Sequence, residues 1–342
     1  METTGAAGGC MLTIIVKALN EERHIEACLR SALAEIGPGA GEVVLVDSLS
    51  TDRTVEIAVR FDVRIVQFES RDDRNCGAAL QLGYQFARGR YLYVLDGDMT
   101  LKPGFIAHAI AYLEAHPDVA GVGGRLIDSQ VLNAADKMRV AQYDALRAEQ
   151  DVKLLGGGGL YRRGAIEAVG YLANRWLPAF EEAELGARLS AARWRLVRLA
   201  MPAVGHCGHP ESSFQLMARL WRIGRVEASG AFLRAAFGRP WLRHALRTCW
   251  FVFVAPALYL AALAAGAAGF AAGFAFLPGL GAALLGLWGA AFAGLLWRKR
   301  DVKEVLIALM AWHMYPLGAA RGFVRSARDP AVPIPARVLK AG

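Results

Sequence analysis

Tyr91-Leu92-Tyr93-Val94-Leu95-Asp96-Gly97-Asp98 is the stretch that decides the fold. Tyr91 to Leu95 is an unbroken apolar run, as expected of a strand buried on both faces, and it ends at Asp96. The same grammar recurs upstream. Met11–Val16, Glu42–Val46 and Val63–Phe68 read as three further buried strands. Helical periodicity fills the gaps, over Glu22–Leu33, Val55–Val59 and Ala78–Ala87. Strands alternating with helices imply a parallel, doubly wound sheet covered on both sides. Ligands bind such sheets at the carboxyl ends of the strands, where Asp47 and Asp96 fall.

Downstream, Gly156-Gly157-Gly158-Gly159 allows close backbone approach to a ligand or a tight bend. Phe180-Glu181-Glu182-Ala183-Glu184-Leu185 opens an amphipathic helix. Leu196–Met201 reads as a late edge strand, and His206 and His209 follow in a Gly/Pro loop.

Hydrophobic residues make up 55% of the 342, above the roughly 45–50% of soluble domains. The excess is concentrated, because Thr248 to Trp297 holds no charged residue. A spanning helix takes about 20 residues, so this stretch fits two helices joined at Leu277-Pro278-Gly279. Val305–Ala320 is a further apolar segment, interrupted by His313 and Pro316. It reads as an interfacial or re-entrant helix, with a third span as the alternative.

The net charge of +8 is also unevenly placed. Seven arginines between Arg219 and Arg247 face one acid, Glu227, and Arg298-Lys299-Arg300 follows the apolar stretch. Basic flanks on both sides place both ends of the hairpin in the cytoplasm beside acidic headgroups. No recognised nucleic-acid motif accompanies the charge, so no nucleic-acid partner is expected. The hairpin has no charged residue that would line a transport path, which argues against a channel or transporter. The five cysteines lack metal or disulfide-framework spacing and read as reduced. Met1–Cys10 has no apolar core, unlike a signal peptide.

Several carboxylates could carry chemistry. Asp96 and Asp98, separated by Gly97 at a strand end, can supply hard oxygen ligands to Mg²⁺ or Mn²⁺, with phosphates completing the coordination. Asp47 can accept hydrogen bonds from a nucleobase or ribose, or form a turn. Asp52 suits a helix cap. Glu181, Glu182 and Glu184 stand at a helix start, where acids either serve the helix dipole or remove a proton from a substrate. Glu184 also has a solvated ion pair with Arg188 within reach. His206 and His209 could hold a phosphate or a metal.

Taken in order, these pieces resemble the family 2 glycosyltransferases of the GT-A fold. Ile14-Ile15-Val16-Lys17-Ala18-Leu19-Asn20-Glu21 is similar to the opening strand and Asn-Glu motif. Val46-Asp47-Ser48-Leu49-Ser50-Thr51-Asp52 resembles Val-Asp-Asp-Gly-Ser-Thr-Asp, with Ser48 and Leu49 in place of Asp and Gly. Leu95-Asp96-Gly97-Asp98 resembles the metal motif, and Gly156 to Arg163 the glycine-rich donor-sugar segment. Glu181-Glu182-Ala183-Glu184-Leu185 resembles the Glu-Asp motif before the acceptor helix, with Glu182 in place of Asp.

The resemblance implies roles. Asp47 contacts the base, Glu21 approaches the nucleoside, and Arg74 touches base or diphosphate. Asp96 contacts ribose, sugar or metal, and Asp98 binds the metal. Gly157 and Gly158 border the donor sugar. Glu182 is the general base, with Glu181 as the alternative. Phe214 to Arg222 lacks the Gln-x-x-Arg-Trp spacing of processive synthases, which implies a non-processive enzyme. The expected function is inverting, Mn²⁺- or Mg²⁺-dependent transfer from a nucleotide-diphosphate sugar to a lipid-linked or saccharide acceptor. The rivals are a nucleotidyltransferase and a non-catalytic nucleotide-sugar-binding membrane module. The expected organisation is a flexible tail over 1–10, a GT-A catalytic domain over 11–215 and a basic helical segment over 216–247. Two transmembrane helices follow over 248–297, then an interfacial or third membrane helix and a tail over 298–342. The implied location is the cell inner membrane, multi-pass, with the catalytic domain cytoplasmic.

Overall fold

The computed structural model describes residues 11–37, 40–207 and 211–342. The expected tail over 1–10 and His209 lie outside them. The chain forms two compact units, Met1–Pro210 with Arg328–Gly342, and Glu211–Ala327.

The first unit opens as the alternation predicts: β1 (Leu12–Ala18), α1 (Ile25–Ile36), β2 (Gly41–Asp47), α2 (Thr54–Ala58), β3 (Arg64–Phe68), α3 (Cys76–Phe86) and β4 (Tyr91–Asp96). It continues with β5 (Met99–Leu101), α4 (Phe105–Ala115), β6 (Val119–Asp128), α5 (Ala134–Asp144), β7 (Gln150–Val152) and β8 (Gly159–Arg162). Then come α6 (Arg163–Ala168), α7 (Glu181–Ala191) and β9 (Arg195–His206), and after the second unit β10 (Ala336–Lys340). The strands form one ten-stranded sheet in the order β10-β3-β2-β1-β4-β8-β6-β9-β5, with β7 also on β9.

β3, β2, β1 and β4 are mutually parallel, as expected, whereas β8 runs antiparallel to β4 and β10 antiparallel to β3. The sheet is therefore mixed. β9 is not an edge strand: it lies between β6 and β5 and starts at Arg195. The edge reading failed because two of this strand's three partners, β6 and β7, come from segments with weak apolar patterning.

Alternation along the strands builds two cores. Ile14, Val16, Leu45, Tyr93 and Leu95 face one cluster, with Leu29 of α1 and Phe105 of α4. Their neighbours Ile15, Val44, Val46, Leu92 and Val94 face the other, with Leu80 of α3 and Leu185 of α7. Successive strand side chains point to opposite faces. A run apolar at every position thus requires helices on both sides.

The second unit contains α8 (Ser213–Arg222), α9 (Ala228–Ala236), α10 (Leu242–Thr248), α11 (Val254–Ala271), α12 (Phe276–Lys299) and α13 (Val302–Phe323). Trp250–Ala271, with mean hydropathy 2.0, and Phe276–Lys299, with 1.8, are the two helices among the described residues long and apolar enough to cross a membrane. The turn between them falls at residues 272–275, not at Leu277-Pro278-Gly279. Pro278 sits in the first turn of α12, where no helical hydrogen bond is asked of it. α13 packs closely on α9: a Cβ on Gly230 would collide with the Ala319 carbonyl, and one on Gly322 with that of Glu227. The stretch 298–342 is thus divided, with α13 in the second unit and everything from Arg328 onward in the first.

Candidate active site

The order β3-β2-β1-β4 reverses direction at β1, and the site is built around the carboxyl ends of these strands. Two loops there are laced together. Asn20 takes a left-handed conformation (φ 58°) and accepts from the Thr51 amide at 2.8 Å, while its own amide donates to Ser50 Oγ at 2.9 Å. The Glu21 amide donates to Thr54 Oγ1 at 2.7 Å and the Glu22 amide to Asp52 Oδ2 at 3.0 Å. Asp52 also accepts from the Thr54 amide, so it ties a loop as well as preceding a helix. Asp47 is fully buried and accepts from Gln67 Nε2 at 2.8 Å and from the Ser50 amide at 3.1 Å. Arg74, just before α3, donates to the Ser48 carbonyl at 3.1 Å. Arg74 and Asp47 therefore brace the same loop from two sides.

Lys17 organises the centre. It is in register with Asp96 on the adjacent parallel strand, and its Nζ lies 3.1 Å from Asp96 Oδ1 and 3.2 Å from Glu181 Oε1. Burial by itself would push its ammonium towards neutrality, but Asp96 and Glu181 more than offset this and hold it charged. β4 and the first turn of α7 are joined through one cation.

Glu182 stands beside that bridge. Phe180 precedes α7 in a left-handed conformation (φ 67°) and offers no side-chain cap, and Glu181, Glu182 and Glu184 fill the first turn of the helix. The residue is half-buried, but its Oε1 is sealed from solvent without a hydrogen-bond partner. Burial is the main reason its carboxyl rises to about 7, and the charge of Glu181 adds to it while Lys17 pulls the other way. A carboxylate poised near neutrality is what general-base work requires.

Asp96 and Asp98 diverge. Asp96 pairs with Lys17, whereas Asp98 Oδ2 lies 3.3 Å from His206 Nε2. Antiparallel pairing of β5 with β9, Met99 opposite His206, brings the imidazole there. His206 Nδ1 contacts Asp128 Oδ1 at 2.6 Å, and Arg139 grips Asp128 through two contacts of 2.8 Å. Burial would lower the imidazole pKa, but Asp98 and Asp128 push it up to about 8. With Nδ1 held by Asp128, Nε2 is the nitrogen directed at Asp98.

The glycine segment is a backbone requirement. Gly156, Gly157 and Gly158 all have positive φ (56°, 72°, 96°). A Cβ on Gly158 would sit 2.9 Å from the buried Tyr93 hydroxyl. Tyr143 fixes the turn by donating to the Gly156 carbonyl at 2.8 Å.

Residues 13–169 match the family model described as Glycosyl transferase family 2. Over this stretch the chain is similar to members of that family. Over 140 residues it is 31% identical to the succinoglycan biosynthesis protein ExoO of Rhizobium meliloti, covering 38% of this chain and 39% of that protein. Over 113 residues it is 34% identical to the dodecaprenyl-phosphate galacturonate synthase of Rhizobium johnstonii, covering 30% and 32%. The aligned region thus spans about a third to two fifths of these relatives. The mannosyltransferase PcManGT from Pyrobaculum calidifontis, solved with GDP-Man and Mn²⁺, has a similar fold, with TM-score 0.58, 23% identity, and 92% of this chain and 87% of that one covered. Residues 1–349 of TarS from S. aureus, solved with UDP-GlcNAc, give TM-score 0.52 at 15% identity, covering 90% and 92%. The GT-A architecture is shared.

In the first unit, the structure gathers Glu21, Asp96, Asp98, Glu181 and Glu182 around β1 and β4. Glu21 Cγ would lie 3.0 Å from a Cβ on Gly97, and its Oε2 is 3.1 Å from His24 Nδ1. Glu184 goes elsewhere. Its pair with Arg188 is not solvated: it is fully buried at 2.8 Å, and Tyr171 donates to it at 2.5 Å. Lys17 is the residue that sequence reasoning passed over. Its signal was a single cation interrupting an otherwise apolar strand. The His206–Asp128–Arg139 chain had no local signal, because β6–β9 pairing brings His206 to Asp128 and the placement of α5 brings Arg139 to them.

Proposed function

We propose that this protein is an inverting, non-processive glycosyltransferase that moves a sugar from a nucleotide-diphosphate sugar to a lipid-linked or saccharide acceptor at the cytoplasmic face of a membrane. The observation that carries this reading is the Glu182 carboxylate, sealed on one side, raised to about 7, and set against the Lys17–Asp96–Glu181 bridge. Glu182 removes the proton from an acceptor hydroxyl or phosphate oxygen. The freed oxygen forms a bond to the anomeric carbon from the face opposite the diphosphate, and the bond from that carbon to the phosphate oxygen breaks. The nucleoside diphosphate departs with the electron pair. Asp47, Arg74 and Glu21 hold the nucleoside end, while Gly157 and Gly158 let the backbone approach the sugar.

The donor set suits a divalent metal. Among the described residues no group of three His, Cys, Asp or Glu side chains forms a ready cage. Asp98 faces His206, and the two match an ion that keeps most of its sites for substrate phosphates once the imidazole gives up the proton that Asp98 and Asp128 favour. These two residues would hold Mn²⁺ or Mg²⁺, with Asp96 adjacent, and the ion's chemistry there is charge neutralisation at the leaving diphosphate. PcManGT, of the same fold, was solved with Mn²⁺. Transfer assayed with purified protein tests the roles: Asp98→Ala and Glu182→Gln should each abolish turnover. Full activity in Asp98→Ala removes the metal assignment, and unchanged turnover in Glu182→Gln moves the base to Glu181.

The two apolar helices support membrane attachment. The dodecaprenyl-phosphate enzyme among the relatives supports a polyprenyl-phosphate type of acceptor.

A further inference from the structure

The chain leaves the catalytic unit after Pro210 and re-enters it at Arg328. The return is firm. β10 pairs with β3, Ala336 opposite Phe68 and Val338 opposite Val66. Ile334 is buried, and the buried Arg175 donates to the carbonyls of Val332 and Pro333 at 3.0 and 2.8 Å. A strand cannot pair with a sheet across a bilayer. The number of membrane crossings between Pro210 and Arg328 must therefore be even. α11 and α12 supply two. α13, with 22 residues, is long enough for a third at about 1.5 Å per residue, yet a third crossing would leave β10 on the wrong side of the membrane from β3.

We infer that α13 does not cross the bilayer but lies in the leaflet on the catalytic side, with Leu306, Met310 and Leu317 against lipid acyl chains. This rests on the reading of α11 and α12 as a crossing hairpin. The two faces of α13 fit the placement. One face, through Gly318, Ala319 and Gly322, packs on α9 and the turn before it. On the other, Leu306, Met310 and Leu317 recur at spacings of four and seven and are 55%, 36% and 61% exposed. His313 belongs to that apolar face and meets the hairpin: Tyr259 Oη lies 2.8 Å from its Nε2, and its ring stacks on Trp288 at 4.8 Å. Its Nδ1 lies 2.7 Å from the Leu309 carbonyl, so both ring nitrogens have partners within the protein. The stripe is therefore continuous with the surface of the hairpin that lipid covers. Lys303, Arg321 and Arg325 stand near its ends, as expected for phosphate headgroups.

Single cysteines labelled with a membrane-impermeant maleimide test this in right-side-out and inverted vesicles, read against the full chain's own cysteines. Phe274→Cys, at the hairpin tip, should label only from outside. Lys303→Cys and Ser326→Cys, before and after α13, should both label only from the catalytic side. Leu306→Cys and Leu317→Cys should resist the reagent from either side. Ser326→Cys labelling from the same side as Phe274→Cys would mean that α13 crosses and overturns the inference. Free labelling of Leu306→Cys and Leu317→Cys would put the stripe in water and overturn it as well. Labelling of Phe274→Cys from the catalytic side would instead show that the hairpin does not cross, which removes the anchor reading and this inference together.

Discussion

Glu182→Gln should abolish the proposed sugar transfer and stabilise the protein, and the stabilisation should depend on pH. A carboxyl held at about 7 in the folded protein, against an ordinary 4.5, binds its proton more tightly when folded. Its ionisation is therefore neutral for stability below about pH 4.5, where both states are protonated. Between 4.5 and 7 the unfolded chain loses the proton first and stability falls. Above 7 the full cost is present, roughly 3 kcal/mol at about 1.4 kcal/mol per pH unit. Gln has the same shape and no charge, so it removes that cost. For a unit of this size each kcal/mol moves the melting temperature by about 2–4 °C. Thermal unfolding in detergent should show Glu182→Gln melting several degrees above the parent at pH 8, with the gap closing toward pH 5. Transfer should fall by about 10²–10⁴-fold, the usual contribution of a positioned base. A variant that melts below the parent at pH 8, or that turns over normally, would refute the reasoning.

Four further outcomes follow from the geometry. Lys17→Met removes the cation that lowers the Glu182 value, so the acid limb of the pH–rate profile should move to higher pH, whereas Lys17→Arg should restore it in part. Glu184→Ala leaves Arg188 charged and buried without its partner; it should cost about 3–5 kcal/mol in unfolding measurements. Gly158→Ala strains a residue at φ 96° against the Tyr93 hydroxyl and should cost about 1–3 kcal/mol. His206→Ala should raise the Mn²⁺ concentration needed for half-maximal activity, with excess chelator silencing the parent and added Mn²⁺ restoring it.

The parallel half of the sheet was legible because β1, β2 and β4 each carry a run of consecutive apolar residues, Ile14–Val16, Val43–Val46 and Tyr91–Leu95, and burial on both faces explains such runs. The antiparallel half was not. β6 contains Gly121, Gly123 and Gly124, and β8 has four residues, so neither carries much pattern. β10 escaped notice because none of its five residues is buried and its place is set by pairing with β3 across more than 260 residues. In the site, the carboxylates were readable from their places after apolar strands. Their pairings were not. Lys17 meets Asp96 through strand register and Glu181 through the placement of α7, and His206 meets Asp98 through β5–β9 pairing. A Glu184–Arg188 pair was readable from its helical spacing, but its burial was not, because exposure depends on what packs over a helix.

The measurement closest to the central claim is product analysis. Purified protein is incubated with a panel of nucleotide sugars and a lipid extract, with and without Mn²⁺, and the released nucleotide is identified. Metal-dependent release of a nucleoside diphosphate with one donor is the expected result, lost in Glu182→Gln. Release of pyrophosphate would identify a nucleotidyltransferase, and donor binding with no turnover under any metal condition would identify a non-catalytic binding module; either result contradicts the account.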